Sequence, residues 1–175
     1  QRGRTFIGFI EHERNQFTQA GLATIYGDPN QSRTVSQLAL GGEYRLDTPD
    51  WTAALSLRLE DNSDFGQGYS ARGSAAYFLS DQTKLRAALG RSVKNPTFTE
   101  RFGYFTNFVG NPDLIPEVSL ELDIGIQHQF SKAPITVNLS AYTARLDDEI
   151  NGFVFDATTF LYTAQNEATV SKQHG

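Results

Sequence analysis

The side chains that could do chemistry are spread thinly and few are grouped. His12, His128 and His174 share no HxxxH or HxH spacing, so the pattern gives no ready set of metal-ligating imidazoles. Asp61-Asn62-Ser63-Asp64 offers oxygen donors at a calcium-like density but lacks the rest of an EF-hand loop, and reads better as a polar turn. Asp147-Asp148-Glu149 reads as a solvated strand end. Arg58, Glu60, Arg72, Lys84, Arg86, Glu121 and Asp123 fall on the polar sides of alternating stretches, where a structural, solvated role outweighs an acid–base one. The chain has no Cys, hence no disulfide, thiolate site or thiol nucleophile. It contains no GxSxG, P-loop or GxGxxG, and nothing points to an enzyme or to a bound cofactor.

One group is different. Phe98, Phe102, Tyr104, Phe105 and Phe108 lie close together in the stretch from Asn95 to Glu117, with Gly103 and Gly110 among them. A disordered polar loop does not keep so many aromatics. Two readings stay open: the rings pack on one another to fold the loop, or they face a ligand, since aromatic side chains give a large contact area at low entropy cost.

The elements that would position these residues alternate with a period of two, the mark of strands with one apolar and one polar face. Trp51 to Glu60 sets Trp51, Ala53, Leu55, Leu57 and Leu59 against Thr52, Ala54, Ser56, Arg58 and Glu60. Val118 to Phe130 places Val118, Leu120, Leu122, Ile124 and Ile126 on one face. Similar runs are expected near 4–13, 33–46, 69–79, 83–92, from 135 to about 155, and from 160 to 171, which makes about eight strands. Connections near 14–32, 61–68 and 93–117 read as long, and those near 47–50, 80–82 and 131–134 as short. That asymmetry is typical of transmembrane barrels. The strands also match the roughly 9–11 residues a tilted strand needs to cross a bilayer. Tyr44, Trp51, Tyr77, Phe78 and Phe130 sit beside the short turns, where an interfacial aromatic girdle would lie.

No stretch reaches the ~18 apolar residues of a membrane helix, which leaves a β-barrel open. The net charge of −5 argues against a nucleic-acid partner. The opening Gln1-Arg2-Gly3-Arg4 is not a signal peptide, so the chain is expected to begin and end inside a larger protein.

Pro96-Thr97-Phe98, Asn111-Pro112-Asp113-Leu114, Pro116-Glu117 and Glu121-x-x-x-Gly125 occur in an order that resembles the C-terminal barrel region of TonB-dependent outer-membrane receptors of the cobalamin and siderophore type. The resemblance is strongest from 77 to 166. It implies an all-β, antiparallel transmembrane β-barrel of about 22 strands, of which residues 1–175 would be a part lacking the plug domain and both termini of the whole protein. It further implies a Gram-negative outer membrane with its lipid as surroundings, and a ferric siderophore, haem or cobalamin as ligand. TonB would act through the absent plug. A soluble all-β binding module, such as a carbohydrate-binding sandwich, and a passive porin-like barrel remain the alternatives.

Overall fold

A computed structural model describes residues 3–25 and 27–175. Strands β1 (Gly3–Gln19), β2 (Gln31–Asp47), β3 (Trp51–Asn62), β4 (Gly66–Ser80) and β5 (Thr83–Lys94) run up and down as a meander. A short helix α1 (Phe98–Phe102) and two-residue strands β6 (Tyr104–Phe105) and β7 (Phe108–Val109) follow. Next come β8 (Glu117–Gln129), β9 (Thr136–Asp147), β10 (Ile150–Asp156), β11 (Leu161–Asn166) and β12 (Ser171–His174). The main sheet has eight strands in the order β1-β2-β3-β4-β5-β8-β9-β12, all neighbours antiparallel. It does not close: among the described residues β1 and β12 are its edges. A second, small sheet, β10-β11-β7-β6, is built from the long connections.

Cross-strand register fixes the faces, because directly opposed residues point to the same side. Leu55 opposes Tyr44 and Gly73, Gly73 opposes Leu89, and Leu89 opposes Leu122. Trp51, Tyr77, Leu85, Ile126 and Leu139 form a parallel row on that same face. These side chains are uncovered, with Leu55 at 62% and Leu139 at 69% exposure. An apolar face this broad demands an apolar neighbour. No second sheet lies on it among the described residues, so the expected sandwich alternative lacks its other half.

The opposite face carries the charges. Arg58 bridges Glu11 at 3.0 Å and Glu60 at 3.3 Å, and Arg72 lies 3.6 Å from Asp123. All the polar-face residues expected from the alternation stand here. Gly125 belongs to this face: a Cβ there would fall 2.7 Å from Nε of Arg86, so glycine is what lets that side chain lie across the strand. Of the girdle aromatics, Tyr44, Trp51 and Tyr77 stand on the apolar face near the short turns, joined by Phe6 opposite Tyr44. Phe78 falls opposite Lys84 on the polar side, and Phe130 lies past the end of β8, edge-on to His128 at 4.7 Å.

Four segments differ from the sequence reading. The loop expected at 14–32 shrinks to residues 20–30, because β1 and β2 stay paired well beyond the apolar run that ends at Ile10. The expected long loop at 61–68 is a tight turn. Asn62 accepts from the backbone N–H of Asp64 (2.9 Å) and Phe65 (3.3 Å), and Gly66 follows at φ +70°. The strand expected from 135 to 155 breaks at Asp148 (φ +55°), and its second half leaves the main sheet as β10. The strand expected at 160–171 likewise divides into β11, which pairs with β10, and β12, which returns to β9.

Candidate functional site

The long connections at one end of the main sheet fold into a single unit. Thr97 and Glu100 start α1 as a capping box: Glu100 N–H donates to the Thr97 hydroxyl, and the Thr97 N–H donates to the Glu100 carboxylate. The sequence Thr97-x-x-Glu100 carried this signal, though the sequence reading treated 95–116 as loop. The unit bends over the polar face. Phe98 stacks on Phe17 at 5.6 Å, and Arg33 lies over Phe102 at 5.2 Å; Phe17 and Arg33 oppose one another on that face of β1 and β2. Gln19 accepts from Tyr104 N–H at 3.1 Å and donates to Tyr104 O, Gln31 donates to Phe102 O, and the Tyr104 hydroxyl meets that of Thr24. Arg101 pairs with Asp64 in the β3–β4 turn, donates to Pro112 O at 3.2 Å, and lies 4.7 Å from the rings of both Phe65 and Phe102.

The family-like residues clamp the two long connections together. Asn111 donates to Ala164 O at 3.1 Å. Asn166 exchanges hydrogen bonds with both backbone groups of Ile115 at 3.0 Å. The Glu117 carboxylate accepts from Ile150 N–H at 3.0 Å. Beneath these bonds Phe108, Leu114, Ile150 and Ala164 form a small buried core against Tyr162. Gly110 is required by a close approach: a Cβ there would lie 2.6 Å from Arg101 C and Phe102 N, both backbone atoms that cannot give way. Gly110→Ala is therefore expected to destabilise this unit by about 1–3 kcal/mol while the main sheet still assembles. Proteolysis confined to 95–116 and 150–166 in an otherwise resistant protein would show it.

The aromatic residues singled out from sequence thus separate by position. Phe102 and Phe108 are buried, with Phe108 only 2% exposed; Phe98 and Tyr104 are half-buried against the β1–β2 hairpin; Phe105 stands in the open at 48%. Sequence reasoning missed the other half of the surface. Phe105 stacks on Phe108 (4.8 Å), Phe108 on Phe153 (5.7 Å), Phe153 on Tyr162 (4.3 Å), and Tyr162 meets Phe155 (5.4 Å), which meets Phe160 (6.3 Å). Phe105, Phe153, Phe155 and Phe160 are exposed, Phe160 at 74%. The alternation of Phe153 and Phe155 was visible, but not that the β10–β11 hairpin joins the first loop.

The tip of that hairpin depends on Asp156. Its carboxylate accepts from Thr158 N–H (2.8 Å) and the Thr159 hydroxyl (2.9 Å), and these bonds hold its pKa below the ordinary value, the backbone donor contributing most. A carboxyl whose pKa is lowered on folding contributes stability that is full above the ordinary carboxylate range and is lost as pH falls through its folded value. Amide exchange at Thr158 should accelerate over that acidic interval, and Asp156→Asn should flatten the dependence.

The histidines lie apart on β1, β8 and β12, with His128 Nδ1 bonded to the Thr83 hydroxyl at 2.8 Å. The arrangement as a whole sets an exposed aromatic surface above the charged face of the main sheet.

Comparison with known proteins agrees with this architecture. The TonB dependent receptor-like β-barrel family matches residues 3–173. The vitamin B12 transporter BtuB of Photobacterium profundum is 28% identical over 145 residues, covering 82% of this chain and 22% of that protein. BtuB of Vibrio vulnificus strain YJ016 is 32% identical over 101 residues, covering 57% and 16%. The chain therefore spans about a fifth of the length of these curated relatives. The crystal structure of the siderophore receptor PirA from Pseudomonas aeruginosa superposes with a TM-score of 0.80 at 20% identity, over 98% of this chain and 32% of that one. The ferric enterobactin receptor PfeA, solved in complex with BCV-L6, gives 0.76 at 15% over 99% and 30%. At those identities the structural likeness speaks for the fold. An open eight-stranded meander with an uncovered apolar face, matched by the family over nearly its whole length, is a section of a larger barrel, and the chain belongs to the TonB-dependent receptor β-barrel family.

Proposed function

We propose that this chain forms part of the wall and the ligand-binding rim of an outer-membrane receptor that imports a scarce nutrient, with a ferric siderophore, haem or cobalamin as the candidate ligand classes. The apolar face lies against outer-membrane lipid, and the charged face lines the lumen. The long-loop end faces the medium, as long loops do in bacterial barrels. TonB acts through a plug carried by the complete receptor. The role is binding and transport rather than catalysis.

The observation that carries this reading is the folded aromatic unit bent over the polar face. A ligand entering the lumen from that end passes Phe105, Phe153, Phe155 and Phe160, whose rings stand free while Phe102 and Phe108 hold the unit together. An ordered rim of this kind favours a receptor over a passive pore, because rings held in place before binding reduce the entropy cost of contact.

The test uses the complete receptor, purified and titrated separately with a ferric catecholate siderophore, haemin and cyanocobalamin. One of the three is expected to bind, and replacing Phe105, Phe153, Phe155 and Phe160 together by Ser should weaken that ligand while heat-modifiable barrel assembly persists. Loss of at least ~1 kcal/mol of binding is expected if even two rings touch the ligand. Unchanged affinity in a normal barrel would remove this surface from the site, and no binding of any of the three would reject the named ligand classes.

A further inference from the structure

The aromatic unit is a folded body with its own core, Phe108, Leu114, Ile150 and Ala164, all supplied by the long connections. That core does not determine how the unit stands over the polar face. Two contacts with the wall do. The first is on the β1–β2 hairpin, where Phe17, Gln19, Gln31 and Arg33 hold Phe98, Phe102 and Tyr104. The second is on the β3–β4 turn. Among the described residues, every hydrogen bond, ion pair and ring contact from the unit to that turn runs through one side chain, Arg101. A body held at one place swivels; held at two, it keeps one orientation.

Both ends of the second contact are prepared for it. Asn62 is buried, accepts from the N–H groups of Asp64 and Phe65, and donates to Gln37 at 2.9 Å. Ser63 N–H donates to Ser36 O at 2.9 Å, and Ser36 N–H donates to the Ser63 hydroxyl at 3.1 Å. These bonds make Asp64 a fixed post tied back to β2. Arg101 spends its whole planar group on the contact. It pairs with the Asp64 carboxylate, donates to Pro112 O, and lies between a ring of the wall, Phe65, and a ring of the unit, Phe102. Its side chain is only 13% exposed, so solvent screens the pair weakly. The backbone carries the position onward. Glu100 O accepts from Asn111 N–H at 2.8 Å, Gly103 O accepts from Gly110 N–H at 2.7 Å, and Gly110 packs on the Arg101 carbonyl carbon. The Phe105–Phe108 stack lies in the loop that these bonds close.

We propose that Arg101 is the positioning residue of the ligand-binding rim: clasped on Asp64, it fixes the orientation in which the unit presents Phe105, Phe153, Phe155 and Phe160, without touching the ligand itself. The inference rests on the receptor reading above. A ring stack and the flexible side chains of Gln19 and Gln31 tolerate a tilt of the unit. A poorly screened charge with one partner does not, because moving away leaves Asp64 uncompensated. Rings held to within roughly 0.5 Å of their binding geometry meet a ligand at less entropy cost than rings gathered on its arrival.

The test uses the complete receptor, made free of other thiols, with spin labels on cysteines introduced at the exposed positions Asn107 in the unit and Gln67 on β4. Double electron–electron resonance reads the distance between them, and the ferric catecholate siderophore, haemin and cyanocobalamin are titrated in parallel. Arg101→Gln should broaden the distance distribution and weaken the probe that binds the parent roughly tenfold. Asp64→Asn should do the same, and the double variant should lose no more than either single one, since both remove one clasp. Limited proteolysis should leave 95–116 and 150–166 uncut in all three. Parent-like distances or parent-like affinity in Arg101→Gln would overturn the proposal. So would additive losses, which would mean that the two residues act separately. Cleavage accompanying the loss would also overturn it, because Arg101 would then fold the unit rather than orient it. Failure of all three probes to bind the parent would defeat the receptor reading, while broadened or unchanged distances would still support or reject the clasp.

Discussion

Leu57→Arg is expected to lower the folded fraction of the complete receptor by the equivalent of about 2–4 kcal/mol, and Ser56→Arg to leave it near wild type. The two positions are adjacent on β3 and differ in face alone. Leu57 opposes Gly42 and Ala71 on the uncovered apolar face, near the middle of the strand, where a guanidinium would meet hydrocarbon with no partner. Ser56 opposes Glu43 and Arg72 on the inner face, where an added cation finds a carboxylate and water. Urea titration of heat-modifiable migration measures both. Equal losses at the two positions would defeat the assignment of faces.

That contrast was legible from the sequence because period-two alternation needs nothing beyond local order. Trp51 to Leu59 and Val118 to Ile126 declare their faces without knowledge of any partner strand. Strand ends were less legible, since hydrogen bonding outlasts hydrophobicity. Arg14 to Gln19 and Gln31 to Ser36 are polar apart from Phe17 and Val35, yet they continue the β1–β2 ladder in full register. Polarity alone reads as loop, whereas two polar strands that rise beyond an apolar band keep pairing. At 61–68 the same error took a tight turn, capped by the Asn62 side chain, for a long loop.

The break at Asp148 was hidden for another reason. Residues 150–155 continue to alternate, so nothing in the pattern announces that the strand changes sheets. The cause is a single residue at positive φ, a conformation Asp tolerates better than most. The candidate site was half legible on the same grounds. Aromatic density between Phe98 and Phe108 marks a folded loop, but whether each ring is core or surface depends on residues more than forty positions away. Ile150 and Ala164 bury Phe108, while Phe153 and Tyr162 extend its stack.

The division between core and surface within that loop leads to the second large effect. Phe108→Ala is expected to cost about 3–5 kcal/mol, enough to unfold the aromatic unit while the main sheet stays paired. Phe108 is buried to 2% exposure with Leu114, Ile150 and Ala164 around it, and its ring is stacked between Phe105 and Phe153 with interplanar angles of 14° and 3°. With the ring gone, Leu114, Ile150 and Ala164 would border an unfilled space in a very small core. Phe105→Ala removes a half-exposed ring and a single stack, for about 0.5–1.5 kcal/mol. Limited proteolysis of the complete receptor should therefore cut Phe108→Ala within both 103–115 and 150–166, because the clamp through Asn111 and Asn166 makes the two connections open together. Phe105→Ala should resist cleavage like the parent, and heat-modifiable migration should survive in both. Cleavage of Phe108→Ala in one connection only would show that they fold separately, and an uncut Phe108→Ala would remove this residue from the core.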